Sequence, residues 1–99
     1  MVDTQIDMSR ALMLDGNAAA GILHEIFGLE MTVSPTQCAH CGNVGQVGML
    51  WAFIQAMGTV LRCPACGSVI LRIVETPHAI YLDAQGAAYL RLERRHFAA

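Results

Sequence analysis

The chain has 99 residues, a formal net charge of -2, 55% hydrophobic residues and only 14% charged residues. This length predicts one small domain, spanning 1–99. A small domain hides a limited part of its apolar surface, which favours both a metal staple and a docking face. The chain has 6 basic residues, none of them lysine, against 8 acidic ones, so its charge argues against a nucleic-acid partner.

The first ten residues lack the basic and then apolar pattern of a signal peptide, so we expect none. No segment of the sequence approaches the ~18 consecutive apolar residues that a membrane span requires. We therefore expect a cytoplasmic protein with no membrane partner. A reducing setting of this kind favours metal-binding thiolates over disulfides.

Residues 1–14 are predicted to form an N-terminal arm, because they show no clear hydrophobic period. An amphipathic helix is predicted over 15–31, where Asp15 or Asn17 can cap the first N–H groups. The apolar residues of this segment recur at helical spacing: Ala19, Ile22, Leu23, Ile26 and Phe27.

The segment 36–76 contains two CxxCG motifs, which begin at Cys38 and Cys63. Between them, alternating apolar residues predict a strand over 47–54, a turn over 55–58 and a return strand over 59–62. The segment 69–74 is a nearly continuous apolar strand, and we expect both of its faces to be covered.

The four cysteines match the ligand set of a tetrathiolate metal site. Structural zinc takes four thiolates in a closed tetrahedron that leaves no position for water. The glycine after each pair permits a left-handed turn that brings backbone N–H groups toward the sulfurs. We therefore predict one structural zinc ion, with iron as the alternative that the same sulfurs bind. The predicted ligands are Cys38, Cys41, Cys63 and Cys66.

Two further readings of these motifs are less favoured. His40 lies inside the first motif, but a fifth ligand is not needed, so we expect it to face solvent. A redox disulfide of the thioredoxin type would need one CxxC at the start of a helix in a βαβ unit, which the pattern does not offer.

A C-terminal β-hairpin is predicted over 77–92, with strands at 79–82 and 88–92. Gly86 suits the left-handed position of its turn. The remaining residues, 93–99, form a basic tail. The predicted fold class is thus α+β: an N-terminal amphipathic helix, a metal-stapled ribbon of antiparallel strands and a C-terminal hairpin.

Residues 38–67 resemble a zinc ribbon, a rubredoxin-like architecture of two knuckles joined by antiparallel strands. The whole chain, including 14–21 (Leu-Asp-Gly-Asn-Ala-Ala-Ala-Gly) and 81–83 (Tyr-Leu-Asp), is also similar to a family of short, uncharacterised actinobacterial proteins. This second resemblance implies the ribbon but no activity. As partners it suggests flavin- or molybdenum-dependent oxidoreductases, to which the chain would be an accessory subunit.

The leading functional hypothesis is a non-enzymatic zinc ribbon that binds another protein or a second copy of itself. A closed site leaves zinc no water to activate, and the sequence offers no placed nucleophile. The candidate interaction surface combines apolar residues of the helix with one of the strand: Ile22, Leu23, Ile26, Phe27 and Trp51.

Two alternatives belong to other functional classes. A rubredoxin-like iron centre would carry one electron with the same four thiolates. A nucleic-acid-binding ribbon would use the arginines near the C-terminus together with one histidine: Arg91, Arg94, Arg95 and His96.

Overall fold

The computed structural model describes residues 13–94, and this part of the chain is α+β. It contains one α-helix, α1, at Ala20–Phe27. It also contains eight strands: β1 (Met13–Asp15), β2 (Pro35–Cys38), β3 (Val44–Gln46), β4 (Trp51–Gln55), β5 (Gly58–Arg62), β6 (Val69–Glu75), β7 (Ile80–Asp83) and β8 (Ala87–Leu90). The predicted arm at 1–14 and the predicted basic tail at 93–99 lie largely outside the described residues.

The strands form two antiparallel sheets. The larger sheet has five strands in the order β1-β4-β5-β6-β7, and the smaller has three in the order β3-β2-β8. The predicted order of strand, turn and return strand between the cysteine motifs is found in β4 and β5, which pair from Trp51↔Arg62 to Gln55↔Gly58. The strand predicted over 47–54 begins too early, because Val47–Met49 form a 3-10 turn before β4.

The predicted helix over 15–31 is too long at both ends. A 3-10 turn at Gly16–Ala19 precedes α1, and the Asp15 carboxylate accepts a hydrogen bond of 3.1 Å from the Asn17 N–H at its start. The helix ends at Gly28, which adopts a left-handed conformation with φ 68° and donates its N–H to the His24 carbonyl. Glycine is favoured there because it lacks the Cβ that opposes this conformation, so the helix stops before Met31. Because β1 precedes it, the helix does not open the fold.

One face of the five-stranded sheet forms the core. Ala52, Leu61 and Leu71 lie side by side on β4, β5 and β6 and are fully buried, and Leu23 of α1 is also fully buried. Burial of a leucine side chain contributes about 1.5–3 kcal/mol. Within residues 13–94, the cluster of buried apolar residues is Ala19, Leu23, Met31, Cys38, Val47, Leu50, Ala52, Leu61, Cys63, Ile70, Leu71 and Ile73.

The expectation that the strand at 69–74 is covered on both faces is wrong. Leu71 and Ile73 are buried, whereas Arg72 and Val74 on the opposite face of β6 are exposed. No layer of residues 13–94 covers that second face. In the sequence, the one charged residue among the apolar residues of 69–74, Arg72, indicates this exposed face.

The predicted C-terminal hairpin is also wrong, although both of its strands exist. β7 pairs with β6 in the larger sheet, while β8 pairs with β2 in the smaller one. The segment between β7 and β8 is therefore a crossing from one sheet to the other. Gly86 does not adopt the predicted left-handed conformation. It is glycine because a Cβ at this position would overlap the carbonyl oxygen of Val69.

Candidate metal centre

The four cysteines lie where the two sheets meet. Cys38 is the last residue of β2 in the smaller sheet, and Cys63 directly follows β5 in the larger one. Cys41 and Cys66 lie in the turns that follow. Each sheet therefore supplies one knuckle, a CxxCG turn, to the same cluster, and both first cysteines are buried.

The sulfur atoms have the spacing of a tetrathiolate site. All four Sγ atoms lie within 4.8 Å of one another. The Cys38 and Cys66 sulfurs are 3.7 Å apart, as are those of Cys41 and Cys63. Four bonds of about 2.3 Å in a tetrahedron give sulfur separations of about 3.8 Å. The four cysteines could thus hold one metal ion, and both short distances join one knuckle to the other.

The two knuckles share one backbone conformation. The N–H of Gly42 donates to the carbonyl of Cys38 at 2.9 Å, and the N–H of Gly67 donates to that of Cys63 at 2.7 Å. The two glycines have φ values of 81° and 80°, in the left-handed region that glycine adopts without strain. The prediction made from the CxxCG pattern is confirmed at both turns.

Backbone N–H groups also point at the sulfurs. The Cys41 N–H donates to the Cys38 sulfur at 3.5 Å, and the Ala65 N–H donates to the Cys63 sulfur at 3.4 Å. Donors aimed at a thiolate stabilise its negative charge. The buried sulfur of each knuckle therefore has a donor that suits a metal-bound thiolate.

The residue before each knuckle secures its turn, which the sequence did not reveal. The Gln37 amide donates to the Gly42 carbonyl at 3.1 Å, and the Arg62 guanidinium donates to the Gly67 carbonyl at 2.9 Å. Arg62 also stacks on the ring of Phe53, with 5.8 Å between the guanidinium carbon and the ring centroid. The only sign of this role in the sequence is a long side chain with hydrogen-bond donors directly before the first cysteine of each CxxCG motif.

The pKa values of the two exposed thiols are shifted in opposite directions. Hydrogen bonds from the hydroxyl and the backbone N–H of Ser68 lower the pKa of Cys66 to about 6. The Asn43 N–H favours ionisation of Cys41, but partial removal from water and the neighbouring cysteines outweigh it and raise that pKa to about 12. The Ser68 donors therefore favour the thiolate form of Cys66.

A third segment of the chain closes against the first knuckle. The Ala39 N–H, inside the knuckle, donates to the Gly86 carbonyl at 2.8 Å. Gly86 also packs against the Val69 carbonyl at the start of β6, close to the second knuckle. The crossing between β7 and β8 thus contacts the first knuckle and the start of the strand that follows the second knuckle. His40 is exposed, as predicted.

The predicted interaction residues do not form one exposed surface. Leu23 is fully buried, so it cannot touch a partner of the folded protein. Ile22, Ile26 and Phe27 are half-buried and pack against the core. Trp51 is 37% exposed and lines a hollow to which none of these helix residues contributes.

Trp51 instead lines a hollow with apolar neighbours that the sequence did not bring together. Leu14 is 46% exposed and Met49 is 67% exposed. With Trp51 they border a volume of about 380 Å³, whose other lining residues are Asp15, Asn17 and Gly48. Leu14 comes from β1 and Trp51 from β4, so only the pairing of these two strands brings both residues to the same hollow.

The arginines of the nucleic-acid alternative do not form a described cluster. Arg91 makes an ion pair of 2.9 Å with Glu93 at the surface. Arg95 and His96 lie outside the described residues, and Arg94 is exposed.

Comparisons with known proteins identify a family. Between residues 13 and 94, no helix is long and apolar enough to cross a membrane. No curated protein matches the chain, and no solved structure matches it. Residues 7–95 match a family described as "Family of unknown function (DUF6510)". The match names neither an actinobacterial source nor a zinc ribbon, which stay predictions. Since it covers most of the sequence, the chain belongs to the DUF6510 family.

Proposed function

We propose that the chain is a non-enzymatic zinc-ribbon protein in which one structural zinc ion joins two sheets and supports a protein-binding surface. The observation that carries this proposal is the sulfur geometry. Two separations of 3.7 Å connect the knuckle of the smaller sheet to that of the larger one. Four thiolates complete the coordination of zinc and leave no open position for a substrate or water.

The zinc ion would act as a staple between the smaller sheet and the larger sheet. Structural zinc contributes roughly 10–16 kcal/mol of apparent binding free energy, which matches or exceeds the stability of a small domain. The ion would be held by thiolates whose backbone donors are already in place. Its role would be to keep the surfaces of both sheets in a fixed relation.

The proposed binding surface is the hollow beside Trp51. Leu14, Met49 and Trp51 expose apolar area around it, and tryptophan is enriched among residues that dominate interface energies. The partner would be a protein with an apolar side chain that fills the hollow. The family resemblance supports a role as an accessory subunit of a larger complex. The candidate complex is an oxidoreductase, and the proposed location is the cytoplasm.

The test combines metal analysis with affinity purification from the native host. We expect one zinc per chain and a partner that is recovered with the wild type and lost with Trp51→Ala. The matched control is Ile54→Ala, because Ile54 is 42% exposed on the same strand but does not line the hollow. Equal recovery with both variants would disprove the surface and leave the metal site standing.

An iron-containing electron carrier is the second candidate. The same four thiolates bind iron, and Cys41 and Cys66 are exposed, which would bring two sulfurs of the cluster close to a redox partner. One iron per chain in protein from its own host, with reversible one-electron reduction, would favour this function. A colourless protein with one zinc would rule it out.

A further inference from the structure

The last strand of the larger sheet presents an open edge. Among residues 13–94, no strand pairs with β7 on the side away from β6. Its first three residues are all apolar or aromatic, and all are exposed: Ile80 is 38% exposed, Tyr81 62% and Leu82 38%. An unpaired edge of this kind is a template for another strand.

The hydrogen bonds around the preceding loop show which backbone groups of β7 face outward. The Thr76 N–H donates to the Ala79 carbonyl at 2.8 Å, which closes the loop between β6 and β7. The Glu75 N–H instead donates to Met57 at 3.0 Å, on the side of β5. Glu75 and Ile80 are therefore opposite each other without exchanging hydrogen bonds.

Antiparallel pairs alternate between bonded and non-bonded positions. Ile80 is non-bonded to β6, so Tyr81 is bonded to it and Leu82 is again non-bonded. The N–H and C=O groups of Ile80 and Leu82 consequently point away from β6, toward the open edge. Only a strand that meets these two residues in register can satisfy all four groups.

We propose that two copies of the chain pair through β7, antiparallel and about a two-fold axis at Tyr81. In this register Ile80 of each copy exchanges two hydrogen bonds with Leu82 of the other, which gives four bonds across the axis. The two Tyr81 residues lie opposite each other as a non-bonded pair, where side chains are closest. The two five-stranded sheets become one continuous sheet.

A second copy fits this edge because β7 is complementary to itself. Ile80 meets Leu82 on one face and Tyr81 meets Tyr81 on the other, and aromatic pairs of this kind add to sheet stability. Asp83 is the one charged residue of β7 and already pairs with Arg72 at 3.6 Å within its own copy. In the proposed register Asp83 lies opposite Ala79, so no like charges face each other. The strand also lacks the lysine, proline or bulge that often protects an edge.

The expected dimer is weak. A ladder of four residues per copy buries less than the roughly 1,200–2,000 Å² of a standard interface, so a dissociation constant in the micromolar range is expected. The proposal is independent of the hollow beside Trp51, because β1 and β4 lie at the opposite end of the sheet from β7.

Crosslinking of the zinc-loaded protein tests the register. With the four native thiols protected by zinc, we expect Tyr81→Cys to form a disulfide-linked dimer under mild oxidation. Its Cα atoms would be about 4.5 Å apart in a non-bonded pair, within the range that disulfides span. The matched control is Asp83→Cys on the same face, whose Cα atoms would be ~14 Å apart at ~3.4 Å per residue and should not crosslink.

Sedimentation equilibrium tests the edge itself. The wild type should shift from monomer to dimer with concentration, and Leu82→Pro should lower the association at least tenfold because it removes an outward N–H. A Trp51→Ala variant should associate like the wild type. A monomer at millimolar concentration, a dimer that Leu82→Pro leaves intact, or equal crosslinking at 81 and 83 would overturn the proposal. Pairing of β7 with another segment of its own chain would also appear as a persistent monomer.

Discussion

At the scale of single residues, the site depends on side chains that are not ligands. Gln37 and Arg62 occupy equivalent positions before the two knuckles, and each donates to the carbonyl of a knuckle glycine. Ser68 donates to the sulfur of Cys66. Gln37 and Arg62 secure the turns, and Ser68 stabilises the negative charge of the Cys66 thiolate. Each of the three should therefore affect metal retention without binding the metal.

Replacement of Arg62 by alanine should weaken the second knuckle. The variant loses the hydrogen bond to Gly67 and the stacking on Phe53. We expect a loss of about 1–2 kcal/mol in the free energy of unfolding, measured in urea on zinc-loaded protein. Arg72→Ala is the control, because Arg72 contacts Asp83 at the surface and neither knuckle, so its effect should stay within about 0.5 kcal/mol. Equal effects would show that Arg62 does not secure the turn.

Replacement of Ser68 by alanine should make the metal site more sensitive to acid. The Ser68 hydroxyl is the largest of the contributions that lower the pKa of Cys66 to about 6, and the Ser68 backbone N–H is the next, so the thiolate is favoured at neutral pH and lost as the pH falls through that value. Without the hydroxyl, protons compete at higher pH, and metal affinity near pH 6 should fall roughly two- to tenfold. The measurement is zinc release followed with a chromogenic chelator from pH 8 to pH 4. An unchanged midpoint would contradict this role.

At the scale of elements, the crossing between β7 and β8 connects the first knuckle to the start of β6, which follows the second knuckle. Gly86→Ala should disturb it, because the added Cβ would overlap the Val69 carbonyl while the Gly86 carbonyl binds Ala39. We expect a loss of about 1–3 kcal/mol in the free energy of unfolding of zinc-loaded protein. Gly45→Ala is the control, since a Cβ there meets nothing within 4 Å. Comparable stability of the two variants would show that this contact does not constrain the crossing.

The elements also show what the sequence could and could not reveal. The cysteine cluster was predictable because each CxxCG turn is determined by five consecutive residues. The position of α1 followed from hydrophobic spacing, but its end depends on the left-handed conformation of Gly28. The sheet assignment of β8 was not predictable, because its partner β2 lies some fifty residues earlier. That pairing includes the Thr36 hydroxyl, which donates to the Tyr89 carbonyl at 2.9 Å.

The same distinction applies to the candidate surfaces. Helical spacing placed Leu23 and its neighbours on one face, but spacing alone does not tell a docking face from a core face. The structure shows that this face packs on the sheet. The hollow beside Trp51 depends on the pairing of β1 with β4, which involves residues almost forty positions apart.

At the scale of the whole molecule, the cysteine cluster joins two sheets that share no strand. Cys38 ends a strand of the smaller sheet and Cys63 follows a strand of the larger one. Without the ion, the clustered thiols would be held together only by the apolar core, the backbone contacts and the Gly86 crossing. We therefore expect metal binding and folding to be coupled, as they are in small proteins with structural zinc.

Removal of the metal is the most direct test of this account. Protein purified from its own host should contain one zinc per chain by elemental analysis and native mass spectrometry. A high-affinity chelator should then collapse the dispersed amide spectrum in nuclear magnetic resonance, and added zinc should restore it. A metal-free protein that keeps its dispersed spectrum and its melting temperature would contradict the central claim that the four cysteines form a structural metal staple.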